Sequence, residues 1–375
     1  MSTKKKDFAL CVMFGLLLAV GFCLCLFLPK EKYSESERRM LSPMPEFSAQ
    51  GVWSGRFMSD FENYAVDTFP FRDVLRSVKA LTASCVFGQQ DNNGLYKEEG
   101  FLVSVEYPMD EASLARSASR FRYICEKYLT DENLVYLSVI PDKNCFLAKE
   151  SGHLSMDYGD FERRMEEFSD FAEYISISDL LERDDYYRTD THWRQEKIMD
   201  VAERLAQAMG ARLSADYELC ELAQDFYGVY YGQAALPAAP DKLRYVTGEA
   251  IQNCQVYDWQ NQREIPVYNT SIFDESGIDG KRAAGRDPYD LFLSGSLSLI
   301  TIKNPNAQTD KRLVLFRDSF GSSIAPLLVS GYSQIDLVDI RYIHPDYLGQ
   351  FIDFEGCDVL FLYSTLVLNH SDTIK

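Results

Sequence analysis

The sequence predicts an α/β protein whose strands form a doubly wound, parallel β-sheet. Residues 135–140, 313–316 and 359–362 are short, almost continuously apolar runs, and the first is rich in β-branched residues; such runs are typical of parallel strands buried on both faces. Residues 112–128 and 194–209 space their apolar side chains at helical intervals. Strands and helices alternate along the chain, and this alternation indicates a sheet with helices packed on both sides.

An uncharged apolar segment near the amino terminus predicts a membrane-spanning helix. It runs for 21 residues from Phe8 to Leu28, and at about 1.5 Å per residue a helix of this length crosses the roughly 30 Å hydrocarbon core. A cleaved signal peptide is the alternative, but residues 29–32 (Pro-Lys-Glu-Lys) offer no small-x-small cleavage site. The lysines at 4–6 indicate an internal amino terminus, so residues from about 30 onward are predicted to be extracytoplasmic.

The chain divides into three parts on these criteria. Residues 1–29 form a cytoplasmic tail and transmembrane anchor, and the charged, proline-containing residues 30–50 form a juxtamembrane linker. Residues 51–375 form one α/β domain. Within it, residues from about 211 to 305 interrupt the alternation of strands and helices and are rich in Tyr, Gly, Pro and Asn, so we predict an insertion of β-structure and loops there.

Charge and composition exclude several classes of function. The formal net charge is -19, and no patch of Lys and Arg follows the first few residues, so nucleic acid is not an expected partner. The acidic surface also favours a neutral substrate over a free polyanion. The nine cysteines show no metal-ligand spacing, and disulfides and free thiols both stay open. With no phosphate-loop, dinucleotide or metalloprotease signature either, we expect no metal and no cofactor.

A serine follows one of the predicted strands at the edge where open α/β sheets bind ligands. Ser319 lies in the segment Arg317-Asp318-Ser319-Phe320-Gly321, between the strand at 313–316 and a predicted helix. It is a candidate nucleophile, and amides at the start of the helix are candidate donors to an oxyanion. The alternative is an ordinary turn with a helix N-cap.

A histidine with a nearby carboxylate is the candidate partner of that serine. Asp190 precedes His192 by two residues in a loop between a predicted strand and a predicted helix, and none of the other three histidines has an acidic residue so placed. Serine becomes a good nucleophile when a neutral imidazole takes its proton, and a carboxylate on the other ring nitrogen fixes the tautomer. An N-cap beside a surface imidazole is the alternative, but the two motifs together predict a triad of Asp190, His192 and Ser319.

The segment Asp190-Thr191-His192-Trp193 resembles the signature of the DHHW family, with Thr in place of its first His. The resemblance extends over roughly residues 35 to 370. Further segments are similar to that family in the same order: 39–41 with Pro45, 61–72, 226–228, 289–295, 317–321 and 339–342.

Such proteins resemble the SGNH hydrolase-like alginate O-acetylation proteins of the bacterial cell envelope, which work beside a membrane-bound O-acyltransferase. The resemblance implies an SGNH/flavodoxin-like three-layer sheet in permuted order, because here Asp-x-His precedes the serine. It also implies transfer of an acetyl group from a donor to Ser319 and onward to a hydroxyl of a surface or exported polysaccharide. In that reaction Ser319 is the nucleophile, His192 the general base and then acid, and Asp190 the orienting carboxylate.

Five further residues are candidates for the same site. Where relatives tend to have Gly-Gly-Asn, this chain has Ser294-Gly295-Ser296, so an amide at Gly295 or the Ser296 side chain would have to stabilise the oxyanion. Arg341 and Tyr363 follow predicted strands, and either substrate contacts or structural roles fit them. Trp193 fits stacking on a sugar ring or packing beneath the loop.

Three functions fit these motifs. A glycan O-acetyltransferase and a carbohydrate esterase would share the triad and differ in whether a sugar hydroxyl or water accepts the acyl group. A non-catalytic protein that binds glycan or scaffolds an assembly is the third, and it predicts that the three triad residues do not converge.

Overall fold

A computed structural model describes residues 3–34, 36–37, 39–214, 216–273 and 287–375. The chain forms two compact units. The first comprises the residues up to Gln89 together with Ala235–Pro237, and the second comprises the rest. The division at 29 and 50 into anchor, linker and domain stays a prediction, but the first unit takes in residues 51–89, which we expected to belong to the α/β domain.

The first unit contains four helices and a two-stranded hairpin among its described residues. They are α1 (Thr3–Phe27), β1 (Tyr33–Ser34), β2 (Arg39–Met40), α2 (Ala49–Trp53), α3 (Arg56–Asp67) and α4 (Arg72–Leu81), which continues as a π-helical turn (Thr82–Val86). Within α1, Lys5–Phe27 has a mean hydropathy of 2.8, and none of its most apolar stretch is buried. This helix has the length and composition of a membrane anchor or a secretion signal.

Asp67, the last residue of α3, connects this helix to Arg39 of β2 and to Ser42. Its carboxylate accepts two hydrogen bonds from the Arg39 guanidinium, at 2.8 and 2.6 Å, and two more from the Ser42 amide and hydroxyl, both at 2.9 Å. The bonds from Arg39 hold the pKa of Asp67 well below its usual range, although burial opposes this shift. The β1–β2 hairpin is thereby fastened to the corner between α3 and α4.

The second unit is built on a mixed sheet of eight strands. Its strand order is β10-β9-β11-β13-β12-β14-β5-β6, in which β13, β12, β14, β5 and β6 are parallel and β10, β9 and β11 are antiparallel to their neighbours. The bounds are β5 (Leu134–Ile140), β6 (Glu173–Tyr174), β9 (Gln255–Asp258), β10 (Arg263–Ile265), β11 (Leu299–Lys303), β12 (Arg312–Arg317), β13 (Gln334–Val338) and β14 (Asp358–Ser364). Two further antiparallel strand pairs lie outside this sheet. One is the hairpin of β3 (Leu95–Glu98) and β4 (Phe101–Ser104), and the other joins β7 (Glu218–Phe226) to β8 (Asp241–Thr247).

Helices cover both faces of this sheet. The unit contains α5 (Glu111–Tyr128), α6 (Asn144–Ser151), α7 (Tyr158–Phe168), α8 (Met199–Ala208), α9 (Val229–Ala234), α10 (Glu249–Gln252), α11 (Gly321–Leu328) and α12 (Thr365–Leu368). Side chains alternate along a strand. Leu313 and Leu315 of β12 therefore join α8 and α11 in one buried cluster, whereas Val314 and Phe316 join α5 and α7 in another.

The sheet contains the parallel strands that the sequence predicts, but it is mixed, because three further strands join it in antiparallel orientation. The strands β9, β10 and β11 are antiparallel and come from residues 211–305, which we expected to form an insertion. Four of the five residues of β11 are buried, so its apolar pattern reports burial but not strand direction. Residues 215 and 274–286 of the predicted insertion lie outside the described residues. All nine cysteines are free thiols in this structure.

Candidate active site

Ser319 lies where β12 ends, two residues before α11 begins. The preceding carboxylate fixes this turn: Asp318 Oδ1 accepts from the Phe320 amide at 3.0 Å, and Asp318 Oδ2 accepts from the Ser364 amide at 2.8 Å and the Ser364 hydroxyl at 2.6 Å. Because Ser364 ends the neighbouring strand β14, Asp318 fastens the turn to the carboxyl edge of the sheet. Ser319 itself is half-buried.

Asp190, His192 and Ser319 converge in one hydrogen-bonded chain. His192 Nε2 lies 2.8 Å from Ser319 Oγ, and His192 Nδ1 lies 2.5 Å from Asp190 Oδ1. Asp190 is fully buried and His192 nearly so. A carboxylate at Nδ1 favours the tautomer with its proton there, which leaves the Nε2 lone pair directed at the serine hydroxyl. The arrangement can take a proton from Ser319 and stabilise the resulting imidazolium.

The Asp190 carboxylate is oriented by backbone donors. Its Oδ1 accepts from the His192 amide at 3.1 Å, and its Oδ2 accepts from the Val229 amide at 2.9 Å. In the same segment, the Gly228 amide donates to Thr189 Oγ1 at 2.9 Å. The start of α9 therefore closes over the loop that carries Asp190 and fixes the direction of its carboxylate.

Tyr289 and Ser323 support His192. The imidazole stacks on the Tyr289 ring with a centroid separation of 3.7 Å and an interplanar angle of 7°. The Tyr289 hydroxyl and Trp193 Nε1 both donate to Ser323 Oγ at 2.8 Å, and Ser323 Oγ donates to the Phe320 carbonyl at 3.1 Å. One buried hydroxyl on α11 thus ties together the histidine loop, the stacked ring and the serine turn.

Two charged side chains brace the chain just before Asp190. Asp241 Oδ1 accepts from the Arg188 amide at 2.9 Å, and Asp241 Oδ2 accepts from the Thr189 amide at 2.9 Å and from its hydroxyl at 2.6 Å. Lys143 is buried and donates to the carbonyls of Leu102 at 2.6 Å and Tyr187 at 2.9 Å. Burial lowers the pKa of Lys143 to about 7, although Asp190 and other carboxylates oppose the shift.

Backbone amides around Ser319 differ in whether they have acceptors. The Phe320 amide donates to Asp318 Oδ1, and the Gly321 amide donates to the Asp318 carbonyl. The Ser322 amide donates to the Ser319 carbonyl, and the Ser323 amide donates to the Phe320 carbonyl. Within the described residues, the Ser319 amide has no such acceptor. It is therefore a candidate oxyanion donor that sequence analysis did not single out.

The predicted oxyanion residues, Gly295 and Ser296, lie between Leu291 and the start of β11. The Gly295 amide donates to the Phe292 carbonyl at 3.1 Å, so it is already engaged, and Gly295 adopts a left-handed φ of 93°. Ser296 is exposed. Their role in stabilising an oxyanion stays a prediction.

The structure assigns packing or pairing contacts to the other three candidates. Trp193 is fully buried beneath the loop, so it offers no face to a sugar. Tyr363 is also fully buried and stacks on Phe121 with ring centroids 5.1 Å apart. Arg341 makes two hydrogen bonds to Asp339, at 2.9 and 2.7 Å, and although burial works against its charge, this pair holds the pKa of Arg341 above its ordinary value.

A buried arginine precedes Asp318. Arg317 is fully buried, its Nη2 donates to the Leu297 carbonyl at 3.3 Å, and its Nη1 lies 3.7 Å from Asp339 Oδ2. Burial lowers the pKa of Arg317 despite this partner.

No group of three or more His, Cys, Asp or Glu side chains among the described residues is arranged to hold a metal ion.

Comparisons with known proteins find relatives by structure. Neither a protein-family model nor a curated protein matches the chain. A DHHW family protein from Eubacterium siraeum matches with a TM-score of 0.58 at 19% identity, over 76% of this chain and 95% of that one. PatB1 of Bacillus cereus with a sulfonyl adduct matches with a TM-score of 0.54 at 19% identity, over 75% of this chain and 99% of that one. The O-acetyltransferase domain of Pseudomonas putida AlgJ matches with a TM-score of 0.44 at 11% identity, over 74% and 92%.

At 19% identity, the first two likenesses establish the fold. They confirm that the resemblance to the DHHW family, based on Asp190-Thr191-His192-Trp193, extends to the architecture of the chain. What the chain does has to be argued from its own site.

Proposed function

We propose that this chain is a serine-dependent O-acyltransferase that moves an acetyl group to a hydroxyl of a cell-surface or exported polysaccharide. The observation that carries the proposal is the hydrogen-bonded chain from Asp190 through His192 to Ser319, with separations of 2.5 and 2.8 Å. Both distances are within the reach required for proton transfer between a nucleophile, its base and the carboxylate that orients the base. Ser319 is the one member of the three that is not buried.

In the first half of the reaction, Ser319 takes the acyl group from a donor. His192 Nε2 accepts the hydroxyl proton while Ser319 Oγ forms a bond to the acyl carbonyl carbon, and Asp190 stabilises the imidazolium. The oxyanion of the tetrahedral intermediate would accept from the Ser319 amide. When the intermediate collapses, the bond to the donor breaks and His192 gives its proton to the leaving group, which leaves acyl-Ser319.

In the second half, a sugar hydroxyl accepts the acyl group. His192 Nε2 takes the proton of that hydroxyl while the sugar oxygen attacks the acyl carbonyl carbon. Collapse of the second intermediate releases Ser319 Oγ, which regains the proton from His192. One acyl ester is broken and one is formed, so no cofactor is consumed. If water takes the place of the sugar, the same site is an esterase.

The proposed setting follows from the first helix and the family resemblance. We propose that α1 is an uncleaved anchor with the second unit outside the membrane, and that a membrane-bound O-acyltransferase supplies the acyl group. The order of the motifs, with Asp190 and His192 ahead of Ser319, suits a permuted SGNH/flavodoxin-like three-layer domain. The buried clusters on both faces of the sheet support this assignment.

The proposal is tested with the full chain in detergent and a chromogenic acetyl ester, with and without oligosaccharide acceptors. Ser319→Ala and His192→Ala are compared with Ser271→Ala and His344→Ala, which alter an exposed serine and an exposed histidine. We expect loss of turnover on the order of 10⁴-fold or more in the first pair and none in the second. Acetylated oligosaccharide would identify a transferase, whereas acetate alone would identify an esterase. Equal turnover in all four variants would overturn both.

A further inference from the structure

Helix α4 exposes an apolar side, and its two arginines are largely buried. Five large apolar residues repeat at helical spacing along one side of the helix, and all are between 40% and 65% exposed. They are Phe71, Val74, Leu75, Val78 and Leu81, and we call them the α4 stripe. A surface helix of a water-soluble protein has the opposite arrangement. A continuous exposed apolar surface indicates that something apolar covers it.

The two arginines of α4 form ion pairs within their own unit. Arg72 Nη1 lies 2.6 Å from Glu37 Oε2, and Arg76 Nη2 lies 3.3 Å from Glu37 Oε1. Both arginine side chains are largely buried, at 15% and 20% exposure. The helix cannot rotate to bury its stripe without breaking these ion pairs, so the stripe faces outward in the folded unit.

The start of α4 lies beside the end of the apolar helix α1. Leu24, Cys25 and Leu28 line a cavity of about 350 Å³ together with residues 69–71, which lead into α4. Just after α1, Lys30 Nζ donates to the Tyr64 hydroxyl in α3 at 2.6 Å. A lysine and a tyrosine that meet beside the end of an apolar span are typical of the boundary between membrane and water. The α4 stripe therefore begins where α1 would leave the hydrocarbon.

We propose that the α4 stripe lies in the surface of the same bilayer that α1 spans, so that α4 is an interfacial helix on the outer leaflet. The inference goes beyond acyl transfer and rests on the proposed anchoring by α1. Exposed aliphatic and aromatic side chains enter the boundary between headgroups and acyl chains, where their apolar area is removed from water. The first unit is then held to the membrane by two contacts, one through α1 and one through α4.

The test places a tryptophan on each side of α4 in the full chain, reconstituted in vesicles of phosphatidylcholine and phosphatidylglycerol. Val78→Trp lies in the stripe, and Asp73→Trp lies on the other side of the helix as the matched control. Both are made with Trp53→Phe, because Trp53 is 95% exposed and would dominate the signal. Lipids with brominated acyl chains quench tryptophans that enter the bilayer. We expect the quenching at Val78→Trp to be at least about twofold stronger than at Asp73→Trp.

Two controls separate the possible failures. Resistance of the chain to alkaline extraction from the vesicles tests the anchor, and hydrolysis of the acetyl ester tests the catalytic proposal. If the chain resists extraction but the two tryptophans are quenched equally, the stripe is not on the bilayer, and a second copy or a protein partner covers it instead. If the chain is extracted, both the anchor and the docked stripe are overturned. Leu81→Trp, further along the stripe, replaces Val78→Trp should the latter not fold.

Discussion

Gly228 lies directly against the backbone of Asp190. A Cβ atom on Gly228 would be 2.2 Å from the Asp190 Cβ, 2.3 Å from its Cα and 2.5 Å from its nitrogen. The neighbouring Val229 amide donates to the Asp190 carboxylate, so the close approach and the hydrogen bond depend on each other. A glycine is required at 228 because any side chain there would push away the residue that orients His192.

Gly228→Ala should therefore impair catalysis through Asp190. Overpacking at this contact should cost about 1–3 kcal/mol of stability, and displacement of Asp190 by even 1 Å should lower kcat by about 10²-fold. Urea unfolding and turnover of an acetyl ester measure the two effects. Gly159→Ala is the control, because a Cβ there meets only Asp157 Oδ1, at 3.4 Å. If Gly228→Ala keeps full turnover, catalysis does not depend on the close contact between residue 228 and Asp190.

The stacked ring of Tyr289 should matter more for catalysis than its hydroxyl does. Tyr289→Leu removes the ring that fixes the His192 imidazole, and we expect kcat to fall by about 10 to 10²-fold. Tyr289→Phe keeps the ring and loses only the hydrogen bond to Ser323, which should cost about 0.5–1.5 kcal/mol of stability with little change in kcat. Steady-state kinetics measures kcat for both variants and the wild type. Equal losses of kcat would mean that the stack has no positioning role.

Ser323 should contribute more to stability than its neighbour Ser322. Ser323→Ala leaves the Trp193 Nε1 and Tyr289 hydroxyl donors buried without an acceptor, at a cost of about 1–3 kcal/mol for each donor. Ser322 is the matched control, since it is equally buried and its hydroxyl has no hydrogen-bond partner within the described residues. Urea unfolding should show a loss for Ser323→Ala and almost none for Ser322→Ala. A larger loss of stability for Ser322→Ala than for Ser323→Ala would contradict the role of the Ser323 hydroxyl as the shared acceptor for Trp193 and Tyr289.

Lys143 should make stability depend on pH above neutrality. Its pKa is about 7 in the folded chain and 10.5 ordinarily, and the cause is burial. Between these values the unfolded chain binds more protons than the folded chain, so the contribution of Lys143 to stability should rise with pH from about 7 to about 10.5. Lys143→Met abolishes this contribution. Over that pH range, we expect the unfolding free energy of the wild type to rise relative to that of Lys143→Met. A difference between the two that stays constant with pH would contradict the lowered pKa of Lys143.

The parallel half of the sheet was predictable because its strands are marked by continuous burial. The strands at 134–140, 312–317 and 358–364 stand out for that reason. Strand direction is not encoded in such a pattern, and this is why β9 and β11 were not recognised as antiparallel members of the same sheet.

The triad could be predicted because each member has a local signal. Ser319 follows a strand, and Asp190 and His192 are two residues apart in a loop. Tyr289 was marked only as the first residue of segment 289–295, which resembles the DHHW family, and its contact with His192 was not predicted. Ser323 had no such signal, because its contacts join residues far apart in the chain, and Trp193 and Ser323 are 130 residues apart.

If Ser319 carries the acyl group during turnover, the peptide that contains it gains the mass of that group. The full chain is incubated with an acetyl ester, quenched in acid and digested. We expect one acetyl group on Ser319 in the wild type, much less in His192→Ala and none at this peptide in Ser319→Ala. An unmodified Ser319 in a wild-type sample that is consuming the ester, or ester consumption that persists in Ser319→Ala, would contradict it.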